Sequence, residues 1–126
     1  MLHLDQVSAE TAARILLALH WLFCSYIHLR YPEATIGVIA RVVNVRSLLI
    51  PRLLGAYMAF LGAMLIIPRQ VTYPAALVGS LPILLVMLFA HRFWGIENPV
   101  ARVVEQANFA KTLGVIATTL ILIEGS

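Results

Sequence analysis

Four long apolar segments constrain the fold of this chain more than any other feature. They cover residues 12–29, 48–67, 71–90 and 107–123 of the 126-residue sequence. A bilayer core about 30 Å thick is crossed by roughly 20 helical residues at 1.5 Å each, so every segment is close to the length of a membrane span. Lipid offers the backbone no hydrogen-bond partner, so each segment must form a helix. We predict an all-α, integral membrane four-helix bundle that forms a single domain over residues 1–126.

The composition supports a membrane setting. Hydrophobic residues make up 61% of the chain and charged residues only 12%, whereas a soluble domain has about 25% charged residues. The mean hydropathy is +0.91. The basic residues are scattered and form no block that could follow a phosphate backbone, which excludes nucleic acid as a partner. We expect lipids and other membrane proteins as partners, in the bacterial inner (cytoplasmic) membrane.

Three connections join the four segments. Residues 68–70 are short enough for a tight turn, and residues 91–106 form a polar connection. Residues 34–46 are too apolar for a free loop, and Gly37, Arg41 and Asn44 fall on one stripe of a helix. This pattern predicts a short interfacial helix between the first two spans. The alternative is an irregular segment packed on the bundle.

Two stripes of small residues predict a close helix contact. They lie in the second and fourth segments at a spacing of four residues: Gly55, Ala59 and Ala63; Ala110, Gly114 and Thr118. Small side chains allow membrane helices to approach closely. We therefore predict that these two helices pack against each other.

Basic side chains gather at one end of the predicted bundle. The order of the helices brings together His28, Arg30, Arg46, Arg52, His91, Arg92, Arg102 and Lys111. Basic residues are enriched on the cytoplasmic side of membrane proteins, so we expect this end inside the cell and both termini outside. At helix ends, long cationic side chains commonly reach for water and head groups, and this explains most of the set.

Arg52 and Lys111 fit that explanation less well. Both are predicted about one turn inside an apolar segment, where an unpaired charge costs a few kcal/mol. We therefore consider a polar pocket at this end that binds a quinone or an anion. Its candidate residues are His28, Arg52, His91, Trp94 and Lys111.

No catalytic or metal-binding pattern is visible, and we predict neither a catalytic residue nor a metal site. The single cysteine, Cys24, has no partner for thiol redox chemistry. His20 lies in the middle of the first segment, and we expect it to form a hydrogen bond across helices to a Tyr, Ser or Thr. No carboxylate is predicted inside the spans, and Glu124 lies at the very end of the fourth. We expect no cofactor of the chain's own beyond a quinone or a bound lipid.

The sequence resembles the DoxX-like family of small four-helix membrane proteins. The specific stretches are His91-Arg92-Phe93-Trp94, Asn98-Pro99 and 108–114, which reads Asn-Phe-Ala-Lys-Thr-Leu-Gly. Arg14 at the start of the first helix, Arg30 and Pro32 at its end, and the glycine-rich stretch 55–62 fit as well. Thr112 stands where the family usually has Asn, and the second helix lacks the family's common acidic residue.

This resemblance implies a redox context. Family members are linked to membrane oxidoreductase assemblies, including subunits of thiosulfate:quinone oxidoreductase. The first functional hypothesis is an accessory or anchor subunit of a larger quinone-linked membrane complex, without catalytic activity of its own. The second is an oxidoreductase subunit that binds quinone or a sulfur oxyanion at the cationic end. The third is a small-solute transporter, whose path would use His20, Ser25, Ser80 and Thr118.

Overall fold

The computed structural model describes residues 2–67 and 70–126, with side chains from residue 9 onward. These residues form five helices, which are α1 (Leu2–Arg30), α2 (Pro32–Val43), α3 (Leu49–Ile66), α4 (Thr72–Ala90) and α5 (Pro99–Gly125). Four of them are long and apolar enough to cross a membrane: α3, α4, α5 and the Ala9–Arg30 part of α1. The predicted all-α membrane bundle is confirmed. Most of the tight turn predicted at 68–70 lies outside the described residues.

Helices α1 and α3 form the closest packed pair of the bundle. A methyl group added at Gly62 would lie 2.8 Å from Leu22 Cγ and 3.1 Å from the backbone oxygen of Ala18. At Gly55 it would lie 2.8 Å from a side-chain carbon of Leu29. The Ser25 hydroxyl donates a 2.7 Å hydrogen bond to the Gly55 carbonyl. Glycines seven residues apart on α3 therefore let the two backbones come together, as small residues do in membrane helices generally.

The predicted contact between the second and fourth spans is wrong. The spanning helices are ordered α1, α3, α4 and α5 around the bundle, and within the described residues α3 shares no contact with α5. Around Gly114 on α5, no heavy atom of the described residues beyond its own helix turn lies within 4 Å of the position of an added methyl group. The spacing of small residues marks a surface suited to close approach, but it does not identify the helix that approaches.

The predicted short helix between the first two spans is present as α2. Pro32 occupies its first turn, where a missing backbone N–H costs nothing. Asn44 ends the helix in a left-handed conformation with φ of 52°, and its N–H donates to the Ala40 carbonyl. The predicted polar stripe of Gly37, Arg41 and Asn44 is therefore wrong at Asn44, which caps the helix. Helix α2 packs against α1, α3 and α4, and so covers one end of the bundle.

Helix α5 begins at Pro99, eight residues before the predicted start at 107. Asn98 caps it by accepting a 3.0 Å hydrogen bond from the Ala101 N–H, and Pro99 fits the first turn. Lys111 therefore lies twelve residues into the helix, about 18 Å from its start. The predicted start at 107 put Lys111 about one turn from the beginning of the helix, and this is wrong, because the polar residues in the first two turns of α5 resemble a loop in hydropathy.

Candidate functional site

A cavity of about 510 Å³ lies beneath α2 at the covered end of the bundle. All five helices contribute to its lining, and most of the lining side chains are aliphatic. They include Val38, Ile39 and Val42 from α2, Leu54 and Met58 from α3, and Ile83, Val86 and Met87 from α4. Both the volume and the apolar lining are typical of sites for small organic ligands.

A few polar side chains also line this cavity. They are Cys24, His28, Thr35, His91, Asn108 and Lys111. Of the five residues predicted to form a binding site, the structure thus brings together His28, His91 and Lys111. They come from α1, from the C-terminal cap of α4 and from the middle of α5.

The other two predicted residues do not line the cavity. Arg52 is exposed on the first turn of α3, and no hydrogen bond or ion pair of its side chain occurs among the described residues. Trp94 lines a separate hollow on the outside of the α4–α5 connection. Its ring packs edge-on against Phe93 and Phe109, with ring centroids 5.6 and 6.0 Å away.

A buried carboxylate joins three helices at the edge of the cavity. Glu105, 11% exposed at its side chain, accepts a 2.9 Å hydrogen bond from His91 Nδ1 through one oxygen. Its other oxygen lies 3.3 Å from Nη1 of Arg41 on α2. The same Nη1 donates to the Ala90 carbonyl at the end of α4. Arg41, Glu105 and His91 form what we call the ion cluster, and it fastens α2 and α5 to the end of α4.

These contacts fix the proton positions on both cavity histidines. A carboxylate and a carbonyl can only accept, so His91 must carry its proton on Nδ1 towards Glu105. His28 likewise donates from Nδ1 to the Cys24 carbonyl, at 2.8 Å. In a neutral imidazole the remaining nitrogen, Nε2, is then an acceptor. Neither Nε2 has a hydrogen-bond partner among the described residues, so each ring, when neutral, has one nitrogen left to accept a hydrogen bond.

Lys111 lies where two spaces meet. It lines the cavity and also a crevice of about 430 Å³ between α1 and α5, which His20 and Gly114 share. No ion pair of the ammonium group occurs within the described part of the chain. An unpaired cation within a helix long and apolar enough to cross a membrane is costly and usually marks a functional position. Here it can donate a hydrogen bond to an oxygen atom of a bound molecule.

His20 makes no hydrogen bond across helices among the described residues, and that prediction is wrong. Its Nε2 lies 3.7 Å from the Cys24 sulfur, one turn away on the same helix. Ser25 and Ser80 are buried, with their hydroxyl groups bonded to the backbone carbonyls of Gly55 and Ala76. Such satisfied hydroxyl groups do not favour the transporter hypothesis.

Glu105 is the residue that sequence reasoning missed. The sequence pattern places it in the polar connection predicted at residues 91–106. The signal was nevertheless present, because Asn98-Pro99 is a good helix start. With that start, Glu105, Thr112 and Thr119 recur every seven residues, and the structure buries all three. They form the face of α5 that turns into the protein.

Comparison with known proteins leaves the resemblance to the DoxX-like family as a prediction. The chain matches no protein-family model, no curated protein and no solved structure. Among the described residues, no group of three or more His, Cys, Asp or Glu side chains is arranged to hold a metal ion.

Proposed function

We propose that this protein binds the head group of a membrane quinone in the cavity beneath α2, as a subunit of a larger redox assembly in the bacterial inner membrane. One observation carries the proposal. His28, His91 and Lys111, which carry two imidazoles and one ammonium group and come from three helices, line the same apolar cavity of about 510 Å³.

The chemistry of a quinone matches these groups. Its ring is flat and apolar, and it suits the aliphatic walls formed by residues such as Ile39, Met58 and Ile83. Its carbonyl oxygens accept hydrogen bonds, which Lys111 can donate. After reduction they become hydroxyl groups, which can donate to the Nε2 atoms of His28 and His91. The same three side chains can therefore hold both redox forms.

The ion cluster suits His91 for proton transfer. When Nε2 takes a proton from a hydroquinone, the imidazole becomes positively charged. Glu105 stabilises that charge through the 2.9 Å hydrogen bond at Nδ1. Arg41 keeps the carboxylate in place from the other side. In this proposal His91 accepts the proton, and Glu105 orients the imidazole and stabilises its positive charge.

Electrons must come from or go to a partner, and the proposed assembly supplies that partner. The resemblance to DoxX-like proteins supports a quinone-linked context of this kind. A sulfur oxyanion is the competing ligand, since Lys111 could pair with it. The predominantly apolar lining favours the quinone, because an anion with several charged oxygens would lose its hydration against aliphatic walls.

The direct test is quinone binding to the purified protein in lipid nanodiscs, with a short-chain ubiquinone analogue as the probe and Lys111→Met as the variant. We expect an affinity about tenfold lower, the usual effect of losing a hydrogen bond to a charged group. Arg52→Met is the matched control, because it removes a cation from the same end of the bundle but outside the cavity. Its affinity should equal that of the unaltered protein.

Two outcomes contradict quinone binding in this cavity. The first is an unchanged affinity in Lys111→Met, and the second is an equal loss in Arg52→Met. Thiosulfate binding that depends on Lys111, in the absence of quinone binding, would favour the oxyanion instead. Purification in a mild detergent followed by mass spectrometry tests the assembly separately, since a dehydrogenase or a cytochrome should remain attached. A protein that binds no quinone but retains such a partner would be an accessory or anchor subunit.

A further inference from the structure

A second polar space lies outside the bundle, beside the connection between α4 and α5. It is a hollow of about 370 Å³ lined by Arg41, Arg92, Trp94, Gly95 and Ile96, which we call the arginine hollow. It is separate from the cavity beneath α2, because the two spaces share no lining residue. The quinone proposal makes no use of Arg92 or Trp94.

The backbone around the arginine hollow is held by several hydrogen bonds. The N–H groups of His91 and Arg92 donate to the last turn of α4, and the Ile96 N–H donates to the Phe93 carbonyl. Arg102 on α5 then clamps the turn with two donors to the Ile96 carbonyl, at 2.8 and 2.5 Å. Gly95 adopts a φ of 90°, which a side chain would strain. Arg92 and Trp94 are thus presented from a fixed turn.

Phe93 anchors this turn to the bundle. Its ring packs edge-on against Phe109 of α5, with centroids 5.5 Å apart. The neighbouring Arg92 and Trp94 are exposed, with Trp94 54% accessible. An exposed tryptophan beside a membrane helix end is typical of the region where lipid head groups meet acyl chains.

The electrostatics of this end favour an anion. Six arginines occur there, Arg30, Arg41, Arg46, Arg52, Arg92 and Arg102, against three glutamates, Glu33, Glu97 and Glu105. Within the described residues, Arg41 alone among these arginines pairs with a carboxylate, and it does so through Nη1. Its other N–H donors and the whole Arg92 guanidinium have no hydrogen-bond partner there. Two arginines with free donors therefore face one hollow, and guanidinium groups bind phosphate strongly.

We propose that the arginine hollow binds the phosphodiester group of an anionic phospholipid, with Trp94 against the glycerol region. A phospholipid fits better than free phosphate, because the connection that lines the hollow leads directly into the start of α5, where Val100 and Val103 are 74% and 62% exposed. Those valines offer an apolar surface to the first carbons of an acyl chain. Basic pockets of membrane proteins recognise anionic lipids in this way.

The test is native mass spectrometry of the detergent-purified protein after incubation with phosphatidylglycerol or phosphatidylcholine of the same acyl chains. We expect phosphatidylglycerol to be retained in preference to phosphatidylcholine. Arg92→Gln should lower that retention about fivefold, the usual effect of one basic residue at an anionic membrane surface. Arg46→Gln is the matched control, since Arg46 is exposed at the same end but does not line the hollow. It should change retention less than twofold.

Three results would overturn the proposal. Equal retention of the two lipids would remove the preference for an anionic head group. Equal losses in Arg92→Gln and Arg46→Gln, or no loss in either, would show that the hollow is not the site. Displacement of the lipid by a molar excess of inorganic phosphate would point to a phosphate site instead. Circular dichroism of each variant checks that the helices are retained.

Discussion

The two spanning helices that neighbour α1 differ in how closely they pack against it. On one side α3 comes close enough for Gly55 and Gly62 to leave no room for a methyl group, and Ser25 bonds across the interface. On the other side α5 leaves a crevice of about 430 Å³, and Gly114 faces no atom within 4 Å. The same small residue type therefore lies in a tight interface on one helix and beside an open space on another.

This difference separates a structural interface from the proposed binding region. The α1–α3 interface uses its small residues to bring backbones together, and its hydroxyl group is satisfied by a carbonyl. The α5 side carries the ammonium of Lys111 and the ion cluster with Glu105, and it borders the cavity and the crevice. Tight packing leaves no volume for a ligand, so a binding site requires a side of the bundle where packing is loose.

The largest loss of stability should come from adding a side chain to the α1–α3 interface. In Gly62→Val, the added side chain meets Leu22 and the Ala18 carbonyl, so α1 and α3 must separate. We expect the free energy of unfolding to fall by about 3 kcal/mol, at the upper end for overpacking a core. Unfolding in mixed detergent micelles, followed by circular dichroism, measures this change. Unaltered stability would show that the two helices are not in close contact.

An intermediate effect is expected at the ion cluster. Glu105→Gln removes the charge that pairs with Arg41 and His91, and a lost hydrogen bond to a charged group costs about 1.5–3 kcal/mol. Since α2 is fastened there, its backbone amides should also exchange with deuterium faster than those of α3. Glu97→Gln is the control, because no ion pair of Glu97 occurs among the described residues. Equal exchange of α2 in both variants would contradict the fastening role.

The smallest change in stability should come from a substitution beside the crevice between α1 and α5. Gly114→Ala adds a methyl group that meets no atom of the described residues beyond its own helix turn, so nothing opposes the better helix propensity of Ala, and we expect the free energy of unfolding to rise by no more than about 1 kcal/mol. The same unfolding measurement, run beside Gly62→Val, sharpens the contrast between the two sides of α1. A loss comparable to that of Gly62→Val would mean that α1 and α5 close the crevice in the membrane.

The helix bounds were predicted correctly where hydropathy changes sharply along the sequence. The second and third spans were placed within one residue of α3 and α4, because their composition changes abruptly at both ends. The start of α5 was misplaced, because its first two turns mix valines with Arg102, Glu105 and Gln106 and so resemble a loop. That error hid Glu105 as a buried residue and placed Lys111 too close to the start of its helix, which begins twelve residues earlier at Pro99.

The candidate site was only partly predictable. The order of the helices placed His28, His91 and Lys111 at one end of the bundle, and all three line one cavity. Arg52 belongs to the same end, but its position on the helix turns it outward. Hydropathy locates a residue along the membrane normal far better than around the helix axis, so inclusion in the site depends on how α3 is rotated.

The sequence by itself determined that this chain forms membrane-spanning helices, because nearly twenty consecutive apolar residues have no other stable arrangement in lipid. Only the tertiary structure decided which helices touch. It paired α3 with α1 instead of α5, and it brought Glu105 to Arg41 and His91, residues far apart in the chain. The physical reason is that lipid tails are as apolar as the helix surfaces, so the choice of partner rests on shape and on a few polar contacts.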